Sequence, residues 1–393
     1  GGRPSGMVLA NLSFSGRKYA KMSNGLVMVR RIRRTPYTDR LEQAGVKGFS
    51  VYNRMVLPKS FHMSVEEAYW HLREHVQIWD VSVQRQVEIT GPDAARLVQW
   101  MTPRDLSKAE VGRCYYVPIV DDAGGMLNDP VLLKLEEDRF WLSIADSDLL
   151  LYVKGLIIGR GFDAMAFEPD VNPMDIQGPK AEALMVDLFG PAICELKFYR
   201  YMHVDFQGTR QLVARSGFSS VDGFEIYLDD SSLGPVLWDT VVEAGQKYNI
   251  APGGPNQIDR IEGGLLGFGN EMTNENNPLE MGFGKFCRLD GSIDCIGLDA
   301  LRRIDASGLR RTIRGVRFEG PQCPVCMTPW PVMAGEINVG QITSAVWSPG
   351  LRSNVGLSLI DRDHWEQGRP VTVLLPDGSK QEGTVQVLPF KSS

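Results

Sequence analysis

One ten-residue pattern occurs twice in the chain, and it constrains the fold more than any other feature of the sequence. ITGPDAARLV at residues 89–98 matches IQGPKAEALM at residues 176–185, 87 residues further on. Each copy predicts a strand that ends at Gly-Pro and continues as a helix, because a proline at the first helical position has no N–H to leave unpaired. A repeated supersecondary unit predicts two α+β halves that form one pseudo-symmetric body.

The segments around the two copies follow the same order. Strands are predicted at 114–120, 126–135 and 139–145 in the first half, and at 201–206, 211–216 and 223–228 in the second. A helix closes each half, near 147–159 and near 232–248. A capping box of Ser64 and Glu67 predicts a further helix over about 65–76.

The pattern changes at both ends of the chain. Short alternating apolar runs, separated by Gly, Pro and Asp turns, begin near Thr312 and are typical of a small all-β barrel. Residues 1–30 are expected to be a tag and a disordered lead-in. The predicted fold class is therefore α+β, with related halves at about 31–160 and 161–308 and a C-terminal all-β barrel domain over 309–393.

Charge and composition exclude several classes of protein. The net charge is −6 and no basic stripe stands out, which argues against nucleic acid as a partner, and the apolar runs are too short for a membrane span. Six scattered cysteines do not suggest a disulfide scaffold, and the lone Cys323-Pro-Val-Cys326 has no second pair for zinc. We therefore expect a cytoplasmic protein without a bound metal.

Asp129 is the first candidate for a functional side chain. It lies in the apolar segment MLNDPVLLK (126–134), directly before Pro130, and a proline within a strand indicates an edge or an irregularity. The carboxylate is either a turn-capping acid or an acid that faces a cavity. Tyr115 and Tyr116, on the paired strand, could line that cavity.

The strand GFEIYL (223–228) holds the second candidate. Side chains alternate along a strand, so Glu225 and Tyr227 share one face, and no Lys or Arg accompanies the acid there. Two interpretations stay open. The face is either solvated, or Glu225 accepts two N–H bonds from a planar heterocycle while Tyr227 forms an aromatic wall, since a buried carboxylate needs a hydrogen-bonding partner.

The third candidate is the helix in GGPNQIDRIEGGLLGFGNEM (253–272). Its Arg260 and Glu262 form a pattern that is often a surface ion-pair cluster, whereas the glycines around Phe268 would let the backbone approach a ligand closely. The five histidines form no recognisable catalytic or metal motif. No nucleophile elbow, Walker A or dinucleotide fingerprint occurs, so acyl transfer, phosphoryl transfer and dinucleotide chemistry lack their usual signatures.

Together these motifs resemble the glycine cleavage T-protein, or aminomethyltransferase, superfamily. The resemblance rests on WDVSVQRQVEITGPDAARLV, GGMLNDP, IQGPKAEAL, GFEIYL and DRIEGGLLGFGNEM. Within the superfamily the sequence is most similar to the dimethylsulfoniopropionate demethylase branch, through segments such as RRTPYTDRLEQAGVKGFSVYNRMVLP (residues 33–58) and IADSDLL. The likeness runs from about Arg33 to the C-terminus.

The resemblance implies a body that binds tetrahydrofolate as the methyl acceptor. Glu225 would bond the amino-pyrimidine edge of the pterin, and Asp129 would be the catalytic residue, lying near the reactive N5 and orienting it. Tyr116 and Tyr227 would form the walls, and Arg260 would lie near the folate. The implied reaction moves a methyl group from a sulfonium donor, dimethylsulfoniopropionate or a relative, to N5.

One stretch departs from the demethylase pattern S-G-W-S-K-Q-G-G-F-E-I-Y. Phe218 replaces the tryptophan, Ser220 the lysine, and Val221-Asp222 the Gln-Gly. Phenylalanine is a weaker cation–π partner than tryptophan, and Asp222 is expected to repel a donor that carries a carboxylate. Phe218 and Tyr227 are the expected donor contacts, and the donor is left open among a sulfonium, a betaine and an N-methyl amino acid.

Three functions remain compatible with the sequence. The preferred one is a tetrahydrofolate-dependent demethylase. The second is an aminomethyltransferase or N-demethylase that acts on an N-methylated amino acid or a betaine, and the third is a non-catalytic folate-binding protein. The expected partner is a small-molecule methyl donor, without nucleic acid or membrane, and a homodimer is compatible with the sequence.

Overall fold

The computed structural model of the protein describes residues 29–390. The tag and lead-in predicted at the N-terminus therefore fall almost entirely outside the described residues. The capping box predicted at Ser64 is present: the Ser64 hydroxyl accepts from the Glu67 N–H at 3.2 Å, and the Glu67 carboxylate accepts from the Ser64 N–H at 2.7 Å.

The first half alternates hairpins with helices. Its elements are α1 (Thr38–Gln43), β1 (Gly48–Tyr52), β2 (Met55–Ser60), α2 (Val65–Glu74), β3 (Val76–Asp80), β4 (Gln86–Thr90), α3 (Ala94–Met101), β5 (Cys114–Tyr116), β6 (Ile119–Val120), β7 (Met126–Asn128), β8 (Val131–Glu136), β9 (Arg139–Ser143) and α4 (Leu149–Arg160). The Gly124-Gly125 turn joins β6 to β7 as an antiparallel hairpin.

The second half repeats this order with longer strands. Its elements are β10 (Met165–Phe167), β11 (Val171–Gln177), α5 (Ala181–Phe189), β12 (Tyr201–Phe206), β13 (Thr209–Ala214), β14 (Gly223–Asp229), α6 (Gly234–Gly245), β15 (Ile250–Gly253), α7 (Gln257–Glu262) and α8 (Leu298–Ser307). α7 is the helix that holds Arg260 and Glu262, and irregular chain follows it up to α8.

The two halves exchange strands. One sheet has the order β10-β4-β9-β8-β5 and the other the order β12-β13-β14-β11-β3-β15. β3 thus leaves the first half to pair with β11, and β10 leaves the second half to pair with β4. Each half, as divided near residue 160, therefore contributes one strand to the sheet of the other half.

The glycines of the repeated motif explain why the pattern recurs. Gly91 and Gly178 have φ angles of 123° and 128°, in a region that a residue with a side chain rarely adopts. A Cβ atom at Gly91 would lie 2.9 Å from the Asp163 carbonyl oxygen, and one at Gly178 would lie 2.3 Å from that of His75. Each of those carbonyls precedes an exchanged strand, so both glycines are needed for the same close approach.

A closed barrel completes the chain. Its strands are β16 (Arg311–Phe318), β17 (Trp330–Ala334), β18 (Ile337–Ser348), β19 (Ser353–Asp361), β20 (Pro370–Leu374) and β21 (Lys380–Gln386), in the order β16-β19-β18-β17-β20-β21. Val316, Phe318 and Trp330 are among the buried side chains that fill it. The predicted fold class, two related α+β halves with a C-terminal all-β barrel, is confirmed.

An apolar cluster lies on the inner face between the two sheets, and the candidate site lies beside it. Trp141 of the first sheet and Tyr227 of the second lie with ring centroids 6.2 Å apart, in a buried cluster that also includes Cys114 and Leu212. Polar side chains on this face are therefore held away from water. Over residues 29–390, no helix is both long and apolar enough to cross a membrane.

Candidate functional site

Asp129 lies in the short connection between β7 and β8, and its neighbour Asn128 fixes that connection. The Asn128 side chain is fully buried, donates to the Ala145 carbonyl at 3.0 Å and to the Ser147 hydroxyl at 2.7 Å, and accepts from the Ala145 N–H at 3.0 Å. Pro130 cannot donate a backbone hydrogen bond, which ends strand pairing here. The acid is therefore presented from a rigid irregularity in the sheet, as the sequence predicted.

Tyr116 holds the Asp129 carboxylate. Its hydroxyl donates to Asp129 Oδ2 at 2.9 Å, while Asp129 Oδ1 is buried and has no hydrogen-bond partner among the described residues. The Tyr116 ring packs against Phe283 and Phe286, with centroids 5.1 and 5.4 Å away. One oxygen of the acid is thus oriented by the protein and the other is left for a ligand.

Burial changes the acidity of Asp129. Desolvation raises the pKa of this carboxyl to about 7, the hydrogen bond from Tyr116 opposes the rise, and the negative charge of Glu271 adds to it. Part of the Asp129 residue is exposed, but its carboxylate oxygen Oδ1 is buried. Burial of the carboxylate is what raises the pKa. An acid of this kind exchanges a proton near neutral pH.

Glu225 lies on the inner face of β14 and is 4% exposed. The Ser216 hydroxyl donates to its Oε2, and the Tyr227 hydroxyl lies 3.4 Å from the same atom. Among the described residues, both hydrogen bonds end on Oε2, so Oε1 is left for a ligand. The solvated-face interpretation of this strand is therefore wrong, and burial raises the pKa of Glu225.

Asp175 is a second acid beside Glu225 that the sequence analysis missed. It lies on β11 directly opposite Glu225 in the antiparallel register, and it is fully buried. Neither of its carboxylate oxygens has a hydrogen-bond partner among residues 29–390. The segment MDIQGP shows an acid in an apolar strand just ahead of the repeated Gly-Pro, and that was the signal available in the sequence.

Tyr199 and Arg104 lie near the candidate acids and were also missed. Burial is the main cause that raises the pKa of Tyr199. The charges of Glu225 and, more weakly, of Asp129 add to the rise, so the phenol is within electrostatic reach of both acids. Its backbone adopts a φ of 59°, which is unusual for an aromatic residue. Arg104 donates to the Tyr116 carbonyl at 2.6 Å and stacks over Phe286 at 4.8 Å.

Arg260 is placed by contacts within the protein. Its Nε donates to Gln257, its Nη1 to the Leu265 carbonyl at 3.0 Å and to Glu271 at 2.8 Å, and its Nη2 to Glu271 and to Ser344 of the barrel strand β18. All five guanidinium N–H groups therefore have protein acceptors. The predicted contact with folate stays a prediction, and this geometry favours a structural role that joins α7 to the barrel.

Replacing Arg260 by Met is expected to destabilise the fold by about 3–5 kcal/mol, because it leaves the buried Glu271 carboxylate unpaired. Urea unfolding measures the effect. The double variant Arg260→Met/Glu271→Leu removes both charges and should recover most of the loss. A single variant as stable as the parent protein would show that the pair does not hold the barrel in place.

The stretch that departs from the demethylase pattern is tied down by ion pairs. Arg215 pairs with Asp222, through a 3.1 Å contact from Nε and a second contact from Nη2, and also with Glu182 at 2.8 Å. Ser220 donates from its N–H to Asp259 at 2.6 Å. The expected repulsion of a carboxylate by Asp222 is therefore offset by Arg215. Phe218 lies in the same loop, half-buried, and its role toward the donor stays a prediction.

The structure thus brings four of the predicted residues into one region. Tyr116 comes from the first sheet and Asp129 from the connection that leads into it, while Glu225 and Tyr227 come from the second sheet. Tyr199 lies within electrostatic reach of both acids. The roles of these residues toward ligands stay predictions. A cavity of about 460 Å³ opens beside Tyr227, and its lining includes Trp141 and Tyr201 but neither of the two predicted acids.

The chain is similar to known proteins along most of its length. The GCVT N-terminal domain matches residues 37–291, and the glycine cleavage T-protein C-terminal barrel domain matches residues 311–391. The dimethylsulfoniopropionate demethylase DmdA of Ruegeria pomeroyi is 48% identical over 351 residues, which cover 89% of this chain and 95% of that protein. An aminomethyltransferase of Halalkalibacterium halodurans is 30% identical, over 87% of this chain and 93% of its own.

A solved structure gives the same result for the fold. The crystal structure of glycine cleavage system aminomethyltransferase T from Bartonella henselae superposes with a TM-score of 0.82 and covers 92% of this chain and 98% of its own, at 21% identity. The two family domains match the α+β body and the barrel in turn, and together they span nearly all of the described residues. The protein belongs to the glycine cleavage T-protein family.

Proposed function

We propose that the protein is a tetrahydrofolate-dependent demethylase that moves a methyl group from a sulfonium compound, dimethylsulfoniopropionate or a near relative, to N5 of tetrahydrofolate. One observation carries the proposal. Asp129 and Glu225 each keep one carboxylate oxygen without a protein donor among residues 29–390, and the charges of both acids act on Tyr199. The 48% identity to a dimethylsulfoniopropionate demethylase supports the choice of donor.

The residues fit a reduced pterin. Its amino-pyrimidine edge carries two N–H donors, and Glu225 presents an acceptor, Oε1, that has no protein donor among the described residues. Ser216 and Tyr227 fix the other oxygen, so the carboxylate is oriented before a ligand arrives. Tyr227 and Trp141 supply flat apolar surface beside it. A buried carboxylate gains most from donors that replace its lost hydration.

The bound folate supplies a nucleophilic nitrogen, and the sulfonium supplies a methyl group whose sulfur leaves as a neutral thioether. The C–S electron pair stays on sulfur, and the new C–N bond takes the nitrogen lone pair, so N5 must lose its proton. Asp129 accepts that proton through Oδ1, and Tyr116 holds the carboxylate in place through Oδ2. Alignment of the two reactants and exclusion of water contribute the rest of the acceleration.

The donor side of the site suits a zwitterion. Tyr116 and Phe283 supply aromatic surface beside Asp129 that attracts a sulfonium, at about 0.5–2 kcal/mol for each face. Arg104 is half-buried, and no carboxylate within residues 29–390 forms a salt bridge with it. Its guanidinium is therefore available for the carboxylate of the donor, in place of the lysine that Ser220 replaces.

We expect the rate of methyl transfer to rise with pH through about 7. Burial raises the pKa of Asp129 to about 7, and only the ionised carboxylate accepts the proton, so the active fraction is small below that pH and complete above it. Single-turnover rates between pH 5.5 and 8.5 measure this. Tyr116→Phe removes a hydrogen bond that lowers the pKa, so its midpoint should move upward; a profile flat across this range would contradict the assignment.

The function itself is tested by a donor screen. The protein is incubated with tetrahydrofolate and, separately, with dimethylsulfoniopropionate, glycine betaine and sarcosine, and the folate product is identified by mass spectrometry. Formation of 5-methyltetrahydrofolate from the sulfonium alone would support the proposal. Formation of 5-methyltetrahydrofolate from glycine betaine or sarcosine would instead assign the N-demethylase alternative, and folate binding without turnover on any donor would assign a binding protein.

A further inference from the structure

Asp175 is a buried acid that the proposed reaction does not use. It is 0% exposed, it lies at the centre of the six-stranded sheet between β14 and β3, and its ladder neighbours are Glu225 on one side and Trp79 on the other. Neither oxygen accepts a hydrogen bond from any described residue. A carboxylic acid in this position needs either a proton or a ligand, because an isolated buried carboxylate is costly.

The register brings Asp175 and Glu225 to the same face. Residues directly opposite in an antiparallel pair have Cβ atoms about 5 Å apart and point to the same side of the sheet. Tyr227, two residues along from Glu225, packs on Trp141 of the first sheet, so this side is the inner face that holds the candidate site. Asn172, Met174 and Ile176 of β11 alternate to the opposite face.

Two acids this close do not ionise together. Glu225 has hydroxyl donors from Ser216 and Tyr227 that favour its carboxylate form, whereas Asp175 has none. Glu225 is therefore the ionised member and Asp175 the protonated one. Burial, followed by the charge of Glu225, raises the pKa of Asp175, which agrees with this assignment. Together the pair presents the acceptor Oε1 of Glu225 next to an O–H donor.

This arrangement complements one edge of a pterin. The two N–H donors at the 2-amino group and N3 are flanked on either side by acceptors, O4 and N1. If the Glu225 carboxylate accepts from these two donors, the neighbouring Asp175 lies beside one of the pterin acceptors, O4 or N1. We propose that Asp175, as a carboxylic acid, donates to the pterin acceptor next to Glu225, so that the two acids together recognise the 2-amino-4-oxo edge.

The inference rests on the proposed function, since it takes Glu225 as the group that binds folate. It makes Asp175 a determinant of which heterocycle is accepted, because a ring with two donors but no adjacent acceptor would leave the O–H unpaired. It also explains why an acid without a partner among the described residues occupies the middle of a buried strand. Val171 on the same strand is part of the buried apolar cluster.

The test is binding of 5-methyltetrahydrofolate, measured by titration calorimetry on three variants of the full chain. Asp175→Leu has a similar shape without the donor, and it should bind at least tenfold more weakly. Asp175→Asn restores an N–H donor and should bind at least fivefold more tightly than Asp175→Leu. Asn172→Leu, on the opposite face of β11, is the matched control and should bind as the parent protein does.

Thermal unfolding separates recognition from packing. No hydrogen bond to another described residue is lost in Asp175→Leu, so its melting temperature should equal or exceed that of the parent protein. Parental affinity in Asp175→Leu would overturn the inference. If Glu225→Ala then still weakened binding, the proposed function would stand without it, whereas parental affinity in both variants would remove the folate site as well.

Discussion

Asp129→Asn is expected to lower the rate of methyl transfer by about 10²–10⁴-fold, which is the range for loss of a positioned proton acceptor. The amide keeps the shape of the side chain and can still hydrogen-bond Tyr116, but it cannot take the proton from N5. Affinity for tetrahydrofolate should change little, because the predicted pterin contacts come from the other sheet. Single-turnover kinetics and equilibrium binding together measure the two effects.

The stability of Asp129→Asn provides a control. The pKa of Asp129 is raised from 3.8 to about 7, so the stability that its protonated form provides is present below pH 3.8 and is lost as the pH rises through about 7. The amide does not ionise, and at pH 8 the variant should unfold at the same or a higher urea concentration than the parent protein. Full activity in a folded Asp129→Asn would remove the acid from the mechanism.

Glu225→Ala is expected to reduce tetrahydrofolate affinity by about 2–4 kcal/mol, which is roughly 30-fold to 1000-fold in the dissociation constant. The loss arises because the N–H groups of the pterin edge would enter a dry site without an acceptor. Glu225→Gln keeps the shape and one acceptor oxygen, so its loss should be smaller. Fluorescence titration with 5-methyltetrahydrofolate measures both dissociation constants.

The control for Glu225→Ala is Glu182→Ala on α5. That carboxylate is paired with Arg215 on the surface and does not lie on the inner face, so folate affinity should be unchanged. The rate constant at saturating folate should fall less in Glu225→Ala than in Asp129→Asn, because the predicted contact of Glu225 is with the pterin edge and not with N5. Parental affinity in Glu225→Ala would mean that this acid does not contact the pterin.

Local sequence signals determined the elements of the fold. The Gly-Pro repeat, the Ser64–Glu67 box and the Gly124-Gly125 turn act over a few residues, through backbone angles and hydrogen bonds that neighbouring residues make. Period-two alternation identified GFEIYL as a strand with Glu225 and Tyr227 on one face. These features follow from the chemistry of adjacent residues, which is why they could be predicted.

The candidate site could be predicted only where a motif carried it. Asp129 before Pro130 and Glu225 beside Tyr227 stand out because an acid interrupts an apolar strand. The same argument applied to Asp175, but only the pairing of β11 with β14 shows that this acid faces Glu225, 50 residues further along the chain. Tyr199 has no motif at all, since its position depends on how the two sheets pack.

Charge balance was the other property that the sequence left open. Arg260 was expected near the folate. In the folded chain its five guanidinium N–H groups all donate to protein acceptors, including Ser344 of the barrel. Asp222 was expected to repel a carboxylate, and Arg215 pairs with it. Whether a charge is free or paired depends on side chains that meet only after folding.

By itself, then, the sequence determined the strands, the helices, the repeat and the family, because each is encoded within short segments. The exchange of β3 and β10 between the sheets, and the meeting of Asp175 with Glu225 on one buried face, were decided by the tertiary structure. The physical reason is that strand register and burial are set by contacts between distant segments, and burial is what raises the pKa of the Asp129 carboxyl to about 7.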